Sequence, residues 1–247
     1  MSTITTTPAT TGSIERQISH VGVRNWLLDG LTFSSGAIDS ISFLGLGKVF
    51  TAFMTGNVAF LGMGIAGNPA PRIVSVLAAM AGFAVGIYLA TKITSSGKQQ
   101  KTGVAWSPRT TLALGVSLLA HLGFVAIWFA NSGQPGASTV PILLAVWALA
   151  MGMQSAAVRK LHVEGIFTTA ATATFIFLFS DVASWKLTRD ERRRMRGILI
   201  SLLIGATAGA YLLFHAPIFA PVLPLVITAG VVLTAARFRW SSDAPTA

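Results

Sequence analysis

Apolar residues fill this chain in long blocks separated by short polar stretches, with no sustained alternation of the kind a strand shows. Ile73 to Thr91, Thr110 to Val158 and Gly197 to Ala236 contain no Asp, Glu, Lys or Arg. A helix crosses the hydrocarbon core of a bilayer with about 20 mostly apolar residues, so these blocks predict spanning helices. Apolar segments fall near 25–47, 49–67, 72–92, 109–130, 140–158, 164–182, 197–215 and 218–237. Pro69 and Pro71, the stretch 93–108, NSGQPGAS at 131–138, the linker 183–196 and His215-Ala-Pro217 punctuate them. The expected fold class is all-α, a polytopic helical membrane protein.

The pattern also predicts an internal duplication. Residues 36–57, GAIDSISFLGLGKVFTAFMTGN, have a degenerate echo in 152–174, GMQSAAVRKLHVEGIFTTAATAT. Shifting by 117 positions lays Phe50, Thr51 and Thr55 on Phe167, Thr168 and Thr172. GFAVGIYL at 82–89 and GATAGAYL at 205–212 then match at an offset of 123, and they carry the two tyrosines, Tyr88 and Tyr211. Gly82, Gly86, Gly205 and Gly209 read as close-packing positions, since small residues four apart let membrane helices approach. The organisation expected is a polar tail 1–20, a first membrane repeat 21–130, an outer turn 131–138, a second repeat 139–237 and a tail 238–247.

Charge changes the picture by setting topology. Basic residues concentrate in cytoplasmic loops. The 92–109 connection holds Lys92, Lys98, Lys101 and Arg109, and 183–196 holds Lys186 and five arginines. Arg237 and Arg239 follow the last segment, while 131–138 and 215–217 carry no full charge. Both basic loops and the C-terminus are therefore expected inside. Three apolar segments lie between the two basic loops, so one must fail to cross, and 140–158 with 164–182 should make one net crossing. The same reasoning makes 25–47 plus 49–67 one crossing. That yields a 3+3 inverted repeat with a broken first element in each half. Eight crossings in a parallel 4+4 arrangement are the alternative, and they break the charge rule at one basic loop.

Composition then removes whole classes of function. The 247 residues are 53% hydrophobic and 11% charged, with mean hydropathy +0.68, against roughly 25% charged in soluble domains. A net charge of +10 spread over the connections signals orientation rather than nucleic-acid binding. Cysteine is absent, which excludes disulfides and thiolate chemistry. The four histidines lack metal-ligand spacing, and no phosphate loop, nucleophile elbow or catalytic dyad is present. No cofactor, metal or enzymatic activity is expected. The N-terminal 20 residues have no apolar signal region.

The polar residues inside apolar surroundings carry what chemistry there is. Thr51, Thr55, Gly56 and Asn57 stand where the second segment begins, as a helix N-cap would. Thr168, Thr169 and Thr172 are their counterparts. Two half-helix N-termini aimed into the membrane would suit a polar or anionic solute, although threonines also bond back to their own helix. Asp39, a carboxylate at bilayer depth, needs a partner, and Arg159 in the second copy is the expected one. Gln154 either lines the site or bonds a neighbouring helix. His121 reads as a core histidine. Trp26, Trp106, Trp128, Trp185 and Trp240 read as interface anchors, and Trp147 as packed inside.

GAID ending at Asp39, then FLGLGKVF, the MTGN tetrapeptide 54–57, MGMQ at 151–154 and Arg159-Lys160 together resemble the YoaK-like bacterial membrane proteins, over residues 25–237. That family carries a domain of unknown function. The resemblance implies a multi-pass protein of the bacterial inner membrane and no established activity. Where the family often repeats Thr-Gly in the second half, this chain has Thr172-Ala173. The resulting expectation is a small-solute transporter with a midplane site between two repeats, with a scaffold or a passive channel as alternatives.

Overall fold

A computed structural model describes residues 11–67, 71–95, 106–161, 171–184, 186–238 and 240, with the side chains of 11–19 and 182–184 left aside. The helices are α1 (Thr11–Gly45), α2 (Met54–Ile65), α3 (Ile73–Ser95), α4 (Pro108–Ala130), α5 (Thr139–Arg159), α6 (Ala171–Ser184), α7 (Arg189–His215) and α8 (Val222–Arg237), with a 3-10 turn at Pro217–Phe219. Each expected segment contributes a helix, 164–182 through its described part from Ala171 and 49–67 from Met54, and no strand occurs among the described residues. By length and composition α3, α4, α5, α7 and the Pro217–Arg237 stretch can each cross a membrane. α1 is long but carries Arg24, Asp29 and Asp39; α2 and α6 are apolar but short.

Local chemistry sets the boundaries. α4 begins at Pro108, whose fixed φ and missing N–H suit the first turn, behind Ser107, which accepts the Arg109 N–H at 3.3 Å. α7 begins with a reciprocal capping box between Thr188 and Glu191, satisfying two otherwise orphan groups. α1 ends where Gly47 (φ +85°) and Lys48 (φ +65°) turn left-handed and reverse the chain.

Two glycine seams fix the packing. On α3, a Cβ at Gly82 would strike the Ala145 carbonyl of α5, and one at Gly86 the Leu149 carbonyl; on α5, Gly152 abuts the Phe83 carbonyl. On α7, Gly205 abuts the Phe33 carbonyl of α1, and Gly209 lies against Ala37 and Ser40. Residue numbers rise together along each seam, so α3 runs parallel to α5 and α1 parallel to α7. Gly82, Gly86, Gly205 and Gly209 all lie in these two seams. Tyr88 and Tyr211 do not share it: both point outward, Tyr88 under Lys92 and Tyr211 stacked on His215.

The other contacts run the opposite way. Ser34 meets Pro224 and Thr228 while Gly30 meets Val231, which sets α1 antiparallel to α8. Gly115 meets Val232 and Trp128 Nε1 donates to the Pro217 carbonyl at 3.1 Å, so α4 is also antiparallel to α8. Phe124 of α4 stacks on Trp147 of α5 at 3.5 Å between ring centroids, with Leu114 further along near Met153. Thus α1, α4 and α7 point one way, and α3, α5 and α8 the other.

Each end of the bundle has an aromatic plug. At one end Trp106 is fully buried and stacks on Trp240 at 5.6 Å, beside His20 and Phe238. At the other, Trp128 is 1% exposed and closes over Phe124 and Gly45. Trp106 and Trp128 are therefore core residues rather than interface anchors, because each indole N–H finds a partner inside: Thr111 Oγ1 at 2.8 Å and the Pro217 carbonyl. Trp26 is exposed and Trp147 buried, as expected, while Trp185 lies outside the described residues.

Candidate functional site

The stretch 46–53 leaves α1 at the Trp128 end and folds back against it. Asp39 Oδ1 accepts the N–H groups of Thr51 and Ala52, both at 2.9 Å, and the Thr51 hydroxyl at 3.2 Å. The Phe53 N–H also faces this carboxylate. A carboxylate with several backbone donors needs no cation to stay inside a low-dielectric region, since charge-assisted bonds replace its hydration. Asp39 is thus matched by peptide dipoles. The expected pair with Arg159 is not formed: Arg159 is exposed on the last residue of α5, at the Trp106 end. Antiparallel α1 and α5 carry the two residues to opposite ends, so the sequence echo does not bring them together.

Asn57 completes the clasp. Its side-chain amide pairs with both backbone groups of Phe50, accepting the N–H at 3.1 Å and donating to the carbonyl at 2.6 Å. Phe50 in turn stacks on Phe43 and Phe60. Asn57 and Thr51 are fully buried, while Thr55 is exposed. Gly56 lies so close to the Phe53 and Phe50 rings that a Cβ would fall 2.8 Å from the first. The capping expected of this cluster is not found, because Phe53 occupies the N-cap of α2 without a side-chain bond. The amides that an anionic solute was expected to meet are held by Asp39 instead.

The second cluster is less fully described. Thr168 and Thr169 lie outside the described residues, as do His162 and Glu164. Thr172 is exposed on the first turn of α6. Gln154, buried in α5, donates to the Leu31 carbonyl of α1 at 3.2 Å, so it is an inter-helix bond.

Two features escaped the sequence reading. Asp181, 3% exposed at the end of α6, accepts the Leu187 N–H at 2.6 Å and bridges Arg192 Nε at 3.4 Å. Its signal was a lone acid closing an apolar run, eleven residues ahead of an arginine in a basic cluster. The other is a polar layer halfway along the bundle. Ser34 and Ser35 of α1, Ser117 and His121 of α4, Trp147 of α5 and Thr228 of α8 are all buried, and the pairings Ser34–Thr228, Gly115–Val232 and Phe124–Trp147 set them at a similar height along the bundle. Neither ring nitrogen of His121 has a hydrogen-bond partner, nor do Ser35 Oγ and Trp147 Nε1. Buried polar atoms are nearly always satisfied, so this layer is where a polar guest would recover the most bonding. Among the described residues no cluster of His, Cys, Asp and Glu is arranged to hold a metal.

Several long apolar helices packed through glycine seams around an apolar core that holds a few buried polar side chains make this a multi-pass α-helical membrane protein. The family model described as protein of unknown function (DUF1275) matches residues 27–234, and the chain belongs to that family. It is similar to the UPF0700 transmembrane protein YoaK of Bacillus subtilis (strain 168), at 31% identity over 222 residues, covering 86% of this chain and 94% of the relative. No solved structure matches.

Proposed function

We propose that the protein is a permease for a small polar solute, built as two halves of opposite direction in the bacterial inner membrane. α1, α3 and α4 form one half and α5, α7 and α8 the other, six crossings in a 3+3 inverted duplication. Support comes from the pairings themselves: exchanging α1–α4 with α5–α8 turns the α1·α7 contact into α5·α3 and the α1·α8 contact into α5·α4. α2 then sits on α3 as α6 sits on α7. Inverted repeats meeting around a midplane site are the recurrent plan of secondary transporters. The Trp106 end faces the cytoplasm in this reading, with the C-terminus. Of the described basic residues, Lys48 and Arg72 alone belong to the Trp128 end, which satisfies the positive-inside rule.

The observation that carries the proposal is the polar layer of Ser35, His121 and Trp147, with atoms left unpaired at mid-bundle and contributed by both halves. The site is placed there rather than at 36–57 and 152–174. His121 offers a donor and an acceptor without a fixed charge, which suits a small neutral or anionic solute. No enzymatic step is part of this reading.

The absence of cysteine makes a direct test practical. Single cysteines at Ser35 and at His121 are exposed to a membrane-impermeant thiol reagent in right-side-out and inside-out vesicles. A permease gives labelling from each side. Labelling of neither position from either side would leave a scaffold, and fast labelling from both sides at once a channel.

A further inference from the structure

Beside the short helix α6, the first two turns of α7 wall an open cleft of about 890 Å³. Arg189, Arg192, Arg193 and Arg196 line it, spaced so that they share one face of α7. Leu178 and Phe179 of α6 form the facing wall, and Asp181 and Asp190 supply the acids. Four guanidiniums therefore face two carboxylates. The Asp181–Arg192 bridge, with Arg192 Nη2 also donating to the Leu187 carbonyl at 2.9 Å, ties the two walls together. Arg189 and Arg193 are exposed and carry no hydrogen bond or ion pair among the described residues. The α7 N-terminus is not the attraction, because Thr188 and Glu191 already cap it.

We infer that this cleft is a binding site for the phosphate-bearing headgroup of an anionic phospholipid. The unpaired arginines supply forked donors matched to phosphate oxygens. The apolar wall continues into Phe175, Ile176 and Phe177, all exposed on α6, which gives the acyl chains a surface that a free phosphate would not use. The cleft belongs to the Trp106 end, where basic pockets between membrane helices meet the charged leaflet. It is independent of the polar layer at mid-bundle.

The full chain, purified in an uncharged detergent, is titrated with phosphatidylglycerol, with cardiolipin, with phosphatidylcholine and with inorganic phosphate, reading bound lipid by native mass spectrometry and Tm by intrinsic fluorescence. Saturable binding of the two anionic lipids, with a raised Tm, is expected. The double variant Arg189→Gln with Arg193→Gln should weaken it by roughly thirtyfold, at about one kcal/mol per basic residue near such a surface. Its lipid-free Tm should not change. Arg237→Gln, at the same end but outside the cleft, should bind as the parent does. Equal weakening by Arg237→Gln would overturn the site in favour of diffuse surface charge. Equal binding by the double variant would overturn it outright. Inorganic phosphate raising Tm as much as the lipids do would replace the lipid with a soluble anion.

Discussion

Asp39 and Asp181 solve one problem in two ways. Each is a carboxylate held inside the protein, and each captures backbone N–H groups from the segment that follows it. Asp39 does so with Thr51 and Ala52 and no cation, in the bundle half nearer Trp128. Asp181 takes one amide, from Leu187, and adds the Arg192 guanidinium at the Trp106 end. The first arrangement ties a loop to a long helix; the second ties a short helix to a long one. The difference teaches that α2 and α6, each packed on the long helix that follows it, are approached by unrelated polar contacts. Backbone N–H groups suffice for the half-buried Asp39, whereas the more deeply buried Asp181 adds a guanidinium that itself reaches water.

The largest expected effect comes from Asp39→Ala. It leaves the Thr51 and Ala52 amides and the Thr51 hydroxyl without an acceptor, at about 1–3 kcal/mol for each buried donor. Loss of monodisperse protein on size-exclusion chromatography, or a collapse of Tm, is the expected result. A variant as stable as the parent would show that the clasp holds nothing. Asp39→Asn keeps one acceptor oxygen and should fall between the two, at about 2 kcal/mol.

Asp181→Asn should cost less, about 1 kcal/mol, because the Leu187 N–H keeps an acceptor and Arg192 is 28% exposed to screening solvent. Salt separates the two sites. Raising ionic strength to about 1 M, where the screening length falls to about 3 Å, should shrink the Tm gap between Asp181→Asn and the parent. The gap for Asp39→Asn should stay. Equal salt response at both positions would erase the distinction. The smallest effect belongs to Thr51→Val, which removes a single 3.2 Å bond at about 0.5–1 kcal/mol. Thermal unfolding in detergent reads it directly.

Much of the framework was legible because lipid leaves few choices. Each of the eight apolar runs holds a helix, although α1 and α7 start well before theirs, at Thr11 and Arg189, because polar residues extend both helices beyond the apolar stretch; Gly-x-x-x-Gly at 82–86 and 205–209 marked the seams. What the pattern could not supply was the partner: nothing in GATAGAYL says that it will meet Phe33 and Ala37 rather than a neighbour in sequence. Asp39 stood out as a carboxylate among apolar residues, yet its matching donors are peptide N–H groups, which every residue carries. Side chains alone offer Arg159 as its partner, and the peptide groups of Thr51 and Ala52 take that place. His121 and Trp147 were read correctly as interior, but whether their nitrogens find partners depends on the facing helices.

The parallel pairing of α1 with α7 bears on how the protein is made. α1, with Asp29, Asp39 and several serines among its apolar residues, is less apolar than the five self-sufficient spans, and its seam partner begins at Arg189. During synthesis the mate of the first helix emerges only after most of the chain has left the ribosome. Until then the α1 face that will carry Gly36 against Leu202 must be sheltered by the insertion machinery or by another protein. A nascent chain arrested before α7 therefore leaves that face of α1 without the helix that covers it.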